Sequence, residues 1–261
     1  MIATKPPINP VDIYDQYLAL NSELKTIERK IESNGRYSAS GAGMCTRKHW
    51  YGNQDYDRKT RDARSNRLLR LGTIMGEDFD AAMHWFKKDR LQTQDSDEIK
   101  DIDIYWEEPV SCERLNLHGH FDLLIVQDRK GYLYDYKTSH SFKFKQLFGR
   151  NKLDGSPSNN YEYQLGTYGF MLEEASGDQN YCDEIVYMSN IYINKDNSVV
   201  KSKQADLNYK EWAKDYWEKV HNSKNAILPP SFGTWAPVYK WECGKYCDFS
   251  EICDSPYKKK E

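Results

Sequence analysis

Between residues 11 and 31 apolar side chains recur at three- and four-residue steps: Ile13, Tyr17, Leu20, Leu24, Ile27 and Ile31. That period predicts an amphipathic helix, which Ser33-Asn34-Gly35 ends. The small-residue stretch 37–43 reads as a loop leading into a short helix over Cys45 to Tyr51. A second long helix is predicted from Asn66 to Lys87, with Leu68, Leu71, Met75, Phe79 and Met83 as its buried stripe and Gly72 and Gly76 interrupting it. A charged, solvated run at 95–103 then gives way to an edge strand around Ile102–Trp106.

At the centre of the chain the period shortens to two. Residues 115–127 and 132–138 read as strands, with Asp128-Arg129-Lys130-Gly131 as the hairpin turn. Closed around Arg129 and Lys130, the hairpin sets Asp122 opposite Lys137 and Leu124 opposite Asp135. Alternation then puts Asp122, Asp135 and Lys137 on one face. Helices are predicted over 159–175 and 207–223, and strands over Glu184–Ile193 and Ser198–Lys203 around a Lys195-Asp196-Asn197 turn. The predicted fold class is α/β, a central mixed sheet flanked by helices, without internal repeats.

Composition adds less. The 261 residues hold 37 Lys+Arg against 40 Asp+Glu, a net charge of −3. That balance excludes a polybasic protein but not a local basic groove, because binding follows local potential. The 7 Trp, 20 Tyr and 9 Phe supply buried area that the sparse aliphatic residues do not. The first ten residues contain no apolar stretch and the longest aliphatic run is Leu123-Leu124-Ile125-Val126, so a soluble, intracellular (cytoplasmic) protein with no membrane partner is expected.

Two carboxylates and an amine on an otherwise apolar hairpin are costly to bury unless they are paired or coordinate a metal. Asp-x-Lys by itself is a common surface ion pair. The larger pattern is Gly119-His120-Phe121-Asp122, then Asp135-Tyr136-Lys137, then Gln164-Leu165-Gly166-Thr167-Tyr168, whose Gln and Tyr are i,i+4 neighbours on a helix. This pattern resembles the PD-(D/E)xK nuclease superfamily, and within it the RecB-like exonucleases.

The resemblance implies a restriction-endonuclease-like core in which Asp122 and Asp135 bind Mg2+ or Mn2+. The Tyr136 carbonyl would add a ligand, Lys137 would assist the nucleophilic water, and Gln164 and Tyr168 would organise the site. Hard divalent ions suit such oxygen ligands and acidify a bound water. The family's helical G-x-x-x-H-E pattern falls on Gly72 to Glu77, where Gly76 occupies the histidine position. Glu77 is the metal ligand expected there, with His84 a weaker candidate.

Six cysteines stand at 45, 112, 182, 243, 247 and 253. Three of them crowd the C-terminal tail beyond Pro229-Pro230, which favours metal or cluster ligation over disulfides. Three thiolates leave a tetrahedral centre one ligand short. In the iron-sulfur branch of the RecB-like family an N-terminal cysteine completes the set, so the resemblance implies a 4Fe-4S cluster on Cys45, Cys243, Cys247 and Cys253. Zn2+ is the alternative, since the x3 gap between Cys243 and Cys247 departs from the family's x2. Cys112 and Cys182 read as ordinary buried residues.

The domain expectation is a single composite domain, 1–261, with a core at about 66–205 and a cluster-bearing subdomain from about 12–60 plus 207–261. The expected partner is DNA, through single-stranded (5′) ends, with Arg47, Lys48, Arg58, Arg61, Arg64, Lys143, Lys145 and Arg150 as candidate phosphate contacts. The expected activity is a metal-dependent DNA exonuclease. Two alternatives are a weakly active DNA-binding or assembly subunit, to which Gly76 points, and a zinc-stapled structural protein.

Overall fold

In the computed structural model, which describes residues 9–54, 56–88, 102–149, 159–227, 229 and 242–255, the chain opens with α1 (Pro10–Ser33). Asn9 accepts the Val11 amide, Pro10 occupies the first turn, where a missing N–H costs nothing, and Asn34 ends the helix in the left-handed region at φ 47°. The apolar stripe expected of this helix is present but uncovered: Ile13, Tyr17, Leu20, Leu24, Ile27 and Ile31 are exposed, and Leu18 is the residue α1 buries. Helices α2 (Thr46–Asn53) and α3 (Ala63–Phe86) follow, α3 capped by Asp62, which accepts the Ser65 amide. The α3 stripe also departs from expectation. Leu71 is exposed, the other four residues are half-buried, and the helix buries only Asn66.

The strands are β1 (Tyr37–Ser38), β2 (Ile102–Cys112), β3 (Leu117–Gln127), β4 (Lys130–Ser139), β5 (Glu184–Asn194) and β6 (Val200–Gln204). They form one mixed sheet in the order β1-β3-β4-β5-β6, with β2 also paired to β3. β1 runs parallel to β3 and β4 parallel to β5, while the other pairs are antiparallel. β2 continues past the predicted end at Trp106 to Cys112 and occupies one edge of β3 throughout. On the other edge, β1 pairs at Leu117 and His118 while the β4 ladder stops at Leu123–Tyr134. Residues 119–122 thus face a gap in the ladder.

The β3–β4 hairpin turns one residue earlier than the sequence suggested, which shifts the strand pairing by two. Asp128 and Arg129 are the central residues, with φ of 50° and 63°, the form that matches strand twist. Arg129 is held in this conformation by its guanidinium, which bonds Asp183 at 2.6 Å and the Asn180 carbonyl at 3.3 Å. Leu124 consequently pairs with Leu133, not Asp135. A two-residue shift preserves alternation, so the expected facing of Asp135 and Lys137 survives the correction.

Helices α5 (Asn160–Glu174) and α6 (Tyr209–Asn222) cover one face of the sheet, where Phe121, Leu124, Leu133, Leu165, Met188 and Trp217 form the core. Helix α4 (Ser141–Phe148) bridges β4 to α5. A second buried cluster, Trp50, Tyr51, Phe249 and Cys253, ties α2 to the C-terminal residues. No described helix is long and apolar enough to cross a membrane. Arg150, residues 95–101 and the tail at 230–241 lie outside the described residues.

Candidate active site

The site begins where the β3–β4 ladder stops. The Tyr136 amide, the next donor along β4, is taken by the side chain of Asp122, whose Oδ2 accepts it at 2.6 Å. One carboxylate thus substitutes for a strand and is fixed by main chain. Asp135 is 1% exposed, ion-paired to Lys137, and accepts a 3.0 Å bond from Gln164 Nε2 on α5. Burial and the Asp122 carboxylate push the Asp135 carboxyl upward, with Lys137 opposing them. Burial works against the Lys137 ammonium too, but Asp135 and Asp122 outweigh it and hold the amine charged.

Tyr168 is buried beside the same pair, its phenol pushed well up by burial, Asp122 and Asp135. Its ring occupies the space above Gly119, where a Cβ would stand 2.9 Å from the ring and 3.1 Å from the hydroxyl. Gly166, between Gln164 and Tyr168, lets α5 pack on α6, since a Cβ there would meet the Tyr209 carbonyl oxygen at 2.1 Å. Thr167 Oγ1 accepts from Trp217 Nε1 at 2.8 Å, which fixes α5 against α6. The sequence-predicted Asp122, Asp135, Lys137, Gln164 and Tyr168 are therefore brought together.

Two carboxylates that sequence reasoning missed complete the group. In the β2–β3 ladder Trp106 pairs with Leu123 and Glu108 with Phe121, so Glu107 falls opposite Asp122. Its backbone is left-handed, φ 51°, an unfavourable state for glutamate of the kind that clusters at functional sites. Although its side chain is open to solvent, surrounding protein, Asp122 and Asp80 push its carboxyl up to about 7. Asp80 on α3 is raised by burial and by Asp122, and its buried Oδ1 has no hydrogen-bond partner among the described residues. Phe79 stacks on Tyr136 at 4.5 Å and anchors α3 there.

Glu77, the α3 ligand expected from sequence, is instead exposed and bonded to Arg70 at 3.0 Å. Gly76 has open space around it. His84 accepts from Trp106 Nε1 at 3.1 Å. A heptad-like period could have found Asp80, which shares a helical face with Glu77 and His84. No strand signal marks Glu107.

Asp122 pushes up the carboxyls of Asp80, Glu107 and Asp135, and the buried Asp80 Oδ1 has no hydrogen-bond partner among the described residues, so the chemistry of the donors suits a hard divalent cation. Among the described residues, no three His, Cys, Asp or Glu side chains stand close enough to hold a metal ion.

The same holds for the thiols. Cys243 lies near both Cys45 and Cys247, Cys247 packs against the cluster that holds Cys253, and none of the four is in a disulfide. Burial, Glu242 and Cys243 push Cys45 up to about 12, and its amide donates to Glu242 at 3.2 Å. Cys247 is raised by burial and by Glu242 and Cys243. Ser255 donates to Cys243 Sγ at 3.3 Å, and Cys253 accepts from Arg47 at 3.8 Å. Cys112 and Cys182 are buried in the core.

Of the candidate phosphate contacts, Arg47 is buried and paired with Asp254, and Arg58 lies 3.9 Å from Asp248 and over Phe249. Both serve the C-terminal packing. Arg61, Arg64 and Lys145 are exposed.

The PD-(D/E)XK nuclease superfamily matches residues 48–254. The chain belongs to this superfamily, and its mixed sheet flanked by helices is the restriction-endonuclease-like core. It is a nuclease of the PD-(D/E)XK type; nucleases of this superfamily act on DNA and typically use divalent metals such as Mg2+ or Mn2+. A crystal structure of SSO0001 is similar, with 15% identity and a TM-score of 0.49 over 93% of this chain and 96% of that one. So is an alkaline exonuclease from Laribacter hongkongensis, with 12% identity and a TM-score of 0.41 over 76% of this chain and 92% of that one. No curated protein matches the sequence.

Proposed function

We propose that the protein is a divalent-metal-dependent exonuclease that hydrolyses phosphodiester bonds from free single-stranded (5′) DNA ends. The observation that carries the reading is the convergence of Asp122, Asp135 and Lys137 at the point where the β3–β4 ladder gives out. Strand type and polarity follow the RecB-like resemblance.

Asp122 and Asp135, with the Tyr136 carbonyl, would hold Mg2+ or Mn2+, and Asp80 with Glu107 takes the place expected of Glu77. The bound ion supplies Lewis acidity and a water of lowered pKa. Lys137, held charged, orients the attacking water and hydrogen-bonds the phosphate oxygens as negative charge builds on them. Gln164 fixes Asp135 through its amide, and Tyr168 excludes water from behind the carboxylates.

Cys45, Cys243, Cys247 and Cys253 would hold a structural 4Fe-4S cluster, or Zn2+ on the same soft donors. Four free thiols, with Cys243 near Cys45 and Cys247 and Cys247 packed by Cys253, support this part, and the metal would staple residues from early and late in the chain into one subdomain.

The test is one preparation made without oxygen. Visible absorbance and iron and zinc content are recorded, then end-labelled linear single- and double-stranded DNA is incubated with Mn2+, Mg2+ or chelator. The expected result is a brown protein that degrades single strands only with metal, and not as Lys137→Ala or Asp122→Ala. Colour without cleavage by the wild type would favour the DNA-binding subunit. Stoichiometric zinc without iron would remove the cluster.

A further inference from the structure

The helical face that carries Gln164 and Tyr168 continues one turn toward the N-terminus to Tyr161, three residues before Gln164. Three lysines gather at Tyr161. The Lys137 ammonium lies 5.1 Å from the ring centroid and the Lys143 ammonium, from α4, lies 3.9 Å from it. Lys195 follows β5, its amide bonded to the Ser139 carbonyl at 2.8 Å, which sets it beside the end of β4. Burial pushes its ammonium down, and the Tyr161 phenol and Asp196 are the groups that favour its charge.

The acidic residue nearest this group is already engaged. Asp196 accepts the Ser141 amide at 2.8 Å and bonds His140 at 3.3 Å, which fixes the start of α4 and so the position of Lys143. Lys137 is paired with Asp135. Neither Lys143 nor Lys195 makes a salt bridge among the described residues. Half-buried ammonium groups that no carboxylate among the described residues ion-pairs make an anion site, and this one lies a helical turn, about 5.4 Å, from the Gln164–Asp135 contact. That distance is of the order of one or two nucleotide steps at about 3.4 Å of rise each.

We infer that Tyr161, Lys143 and Lys195 form a subsite for the backbone phosphate that flanks the cleaved one on the DNA strand. The inference rests on the nuclease reading. The ring positions the Lys143 ammonium, the Ser139 bond places Lys195, and the two ammonium groups bind the phosphate without regard to base. Lys143 and Lys195 are substrate-binding residues, and Tyr161 is a positioning residue.

The experiment measures binding of a fluorescent oligothymidylate of about 20 nucleotides, longer than the stretch a single binding groove covers, by anisotropy with Ca2+ in place of Mg2+ across a salt series. Cleavage of the same strand with Mg2+ is measured in parallel, and thermal unfolding checks each variant. Lys143→Ala and Lys195→Ala are expected to weaken binding about tenfold each and raise KM more than they lower kcat. The double variant is expected to flatten the slope of log K against log salt by about 0.7, the value for one phosphate contact on a single strand. Tyr161→Ala should weaken binding without removing a charge, and Tyr161→Phe should restore it. Cleavage by the wild type together with an unchanged slope and affinity in a folded double variant would overturn the subsite and leave the nuclease reading standing. A wild type that neither binds nor cleaves single strands would overturn both.

Discussion

The ring of Tyr168 fills the space above Gly119 so closely that a Cβ at 119 would meet it at 2.9 Å and the Cβ of Ala39 at 3.0 Å. The glycine three residues before Asp122 and the tyrosine four residues after Gln164 are therefore two halves of one contact. Gly119→Ala is expected to cost about 1–3 kcal/mol of stability by overpacking, read as a lower urea midpoint. Because the ring also backs Asp122 and Asp135, kcat should fall by about tenfold or more, corresponding to roughly 1.4 kcal/mol of barrier. A variant with wild-type kcat would show that Tyr168 is packing only.

Gly166 makes a sharper case, since its neighbour is backbone. A Cβ there would stand 2.1 Å from the Tyr209 carbonyl oxygen, and neither α5 nor α6 can yield by rotating a side chain. Gly166→Ala should be at the upper end of about 1–3 kcal/mol or beyond it, and should shift α5 enough to weaken the Gln164–Asp135 bond. The check is urea denaturation together with activity below the midpoint.

These contacts bear on how much the sequence disclosed. The periods of α6, β3 and β4 were legible because those elements bury one face in a shared core, whereas α5 is buried all round from Gln164 to Leu172. The stripes on α1 and α3 were equally regular, yet among the described residues the α1 stripe stays exposed and the α3 stripe is only half-buried, and periodicity alone does not reveal what covers a face. The hairpin register slipped by two because an arginine in the left-handed region is held by Asp183 and Asn180, fifty residues away in sequence. Asp122, Asp135, Lys137, Gln164 and Tyr168 could be read because each sits at a fixed spacing within one element. Glu107 could not, because its place depends on a β2 irregularity at φ 51° and on which strand lies beside β3.

Crowding of carboxylates predicts a stability response to metal. Asp122 repels Asp80, Glu107 and Asp135, with Lys137 and, at Asp80, His84 opposing it among the described residues, so a divalent ion that binds the folded state should stabilise it by about 2.7 kcal/mol at one hundred times its Kd. Differential scanning fluorimetry with Mg2+ or Mn2+ against chelator is expected to show a rise in Tm. Asp122→Asn keeps an acceptor for the Tyr136 amide but removes one charge. It should lose the metal response while being at least as stable as the wild type in chelator. A full metal response in that variant would place the ion elsewhere.

His49 gives the pH dependence, at a place remote from the carboxylates. Its Nε2 lies 2.9 Å from the Gly41 carbonyl and 2.7 Å from the Tyr216 hydroxyl. Burial, with help from Lys48 and Arg58, pushes its pKa down from 6.5 to about 3. Between those values the unfolded chain binds the proton and the folded one does not, so stability is fully present above pH 6.5 and falls as pH drops toward 3. His49→Gln should be less stable at neutral pH, and the gap to wild type in urea midpoint should narrow on acidification. A gap constant with pH would mean that His49 is not what titrates.

The contrast between Asp80 and Glu77 tests the least expected feature of the site. The family pattern directs attention to Glu77, but its carboxylate points outward to Arg70, an exposed pair of a kind worth about 0–1 kcal/mol. Asp80, one turn further along α3, has a buried oxygen without a hydrogen-bond partner among the described residues, is raised by Asp122, and is anchored by the stacking of Phe79 on Tyr136. Asp80→Asn is expected to lower metal-dependent cleavage by about 10–100-fold, the range for removing a group that supports a metal site, whereas Glu77→Gln should change it less than about fivefold. Measured as apparent metal affinity, the loss in Asp80→Asn should appear as a higher Mn2+ requirement at unchanged DNA affinity. With that outcome, the position left empty by Gly76 would matter little, because α3 would deliver its acidic group four residues later on the same side of the helix.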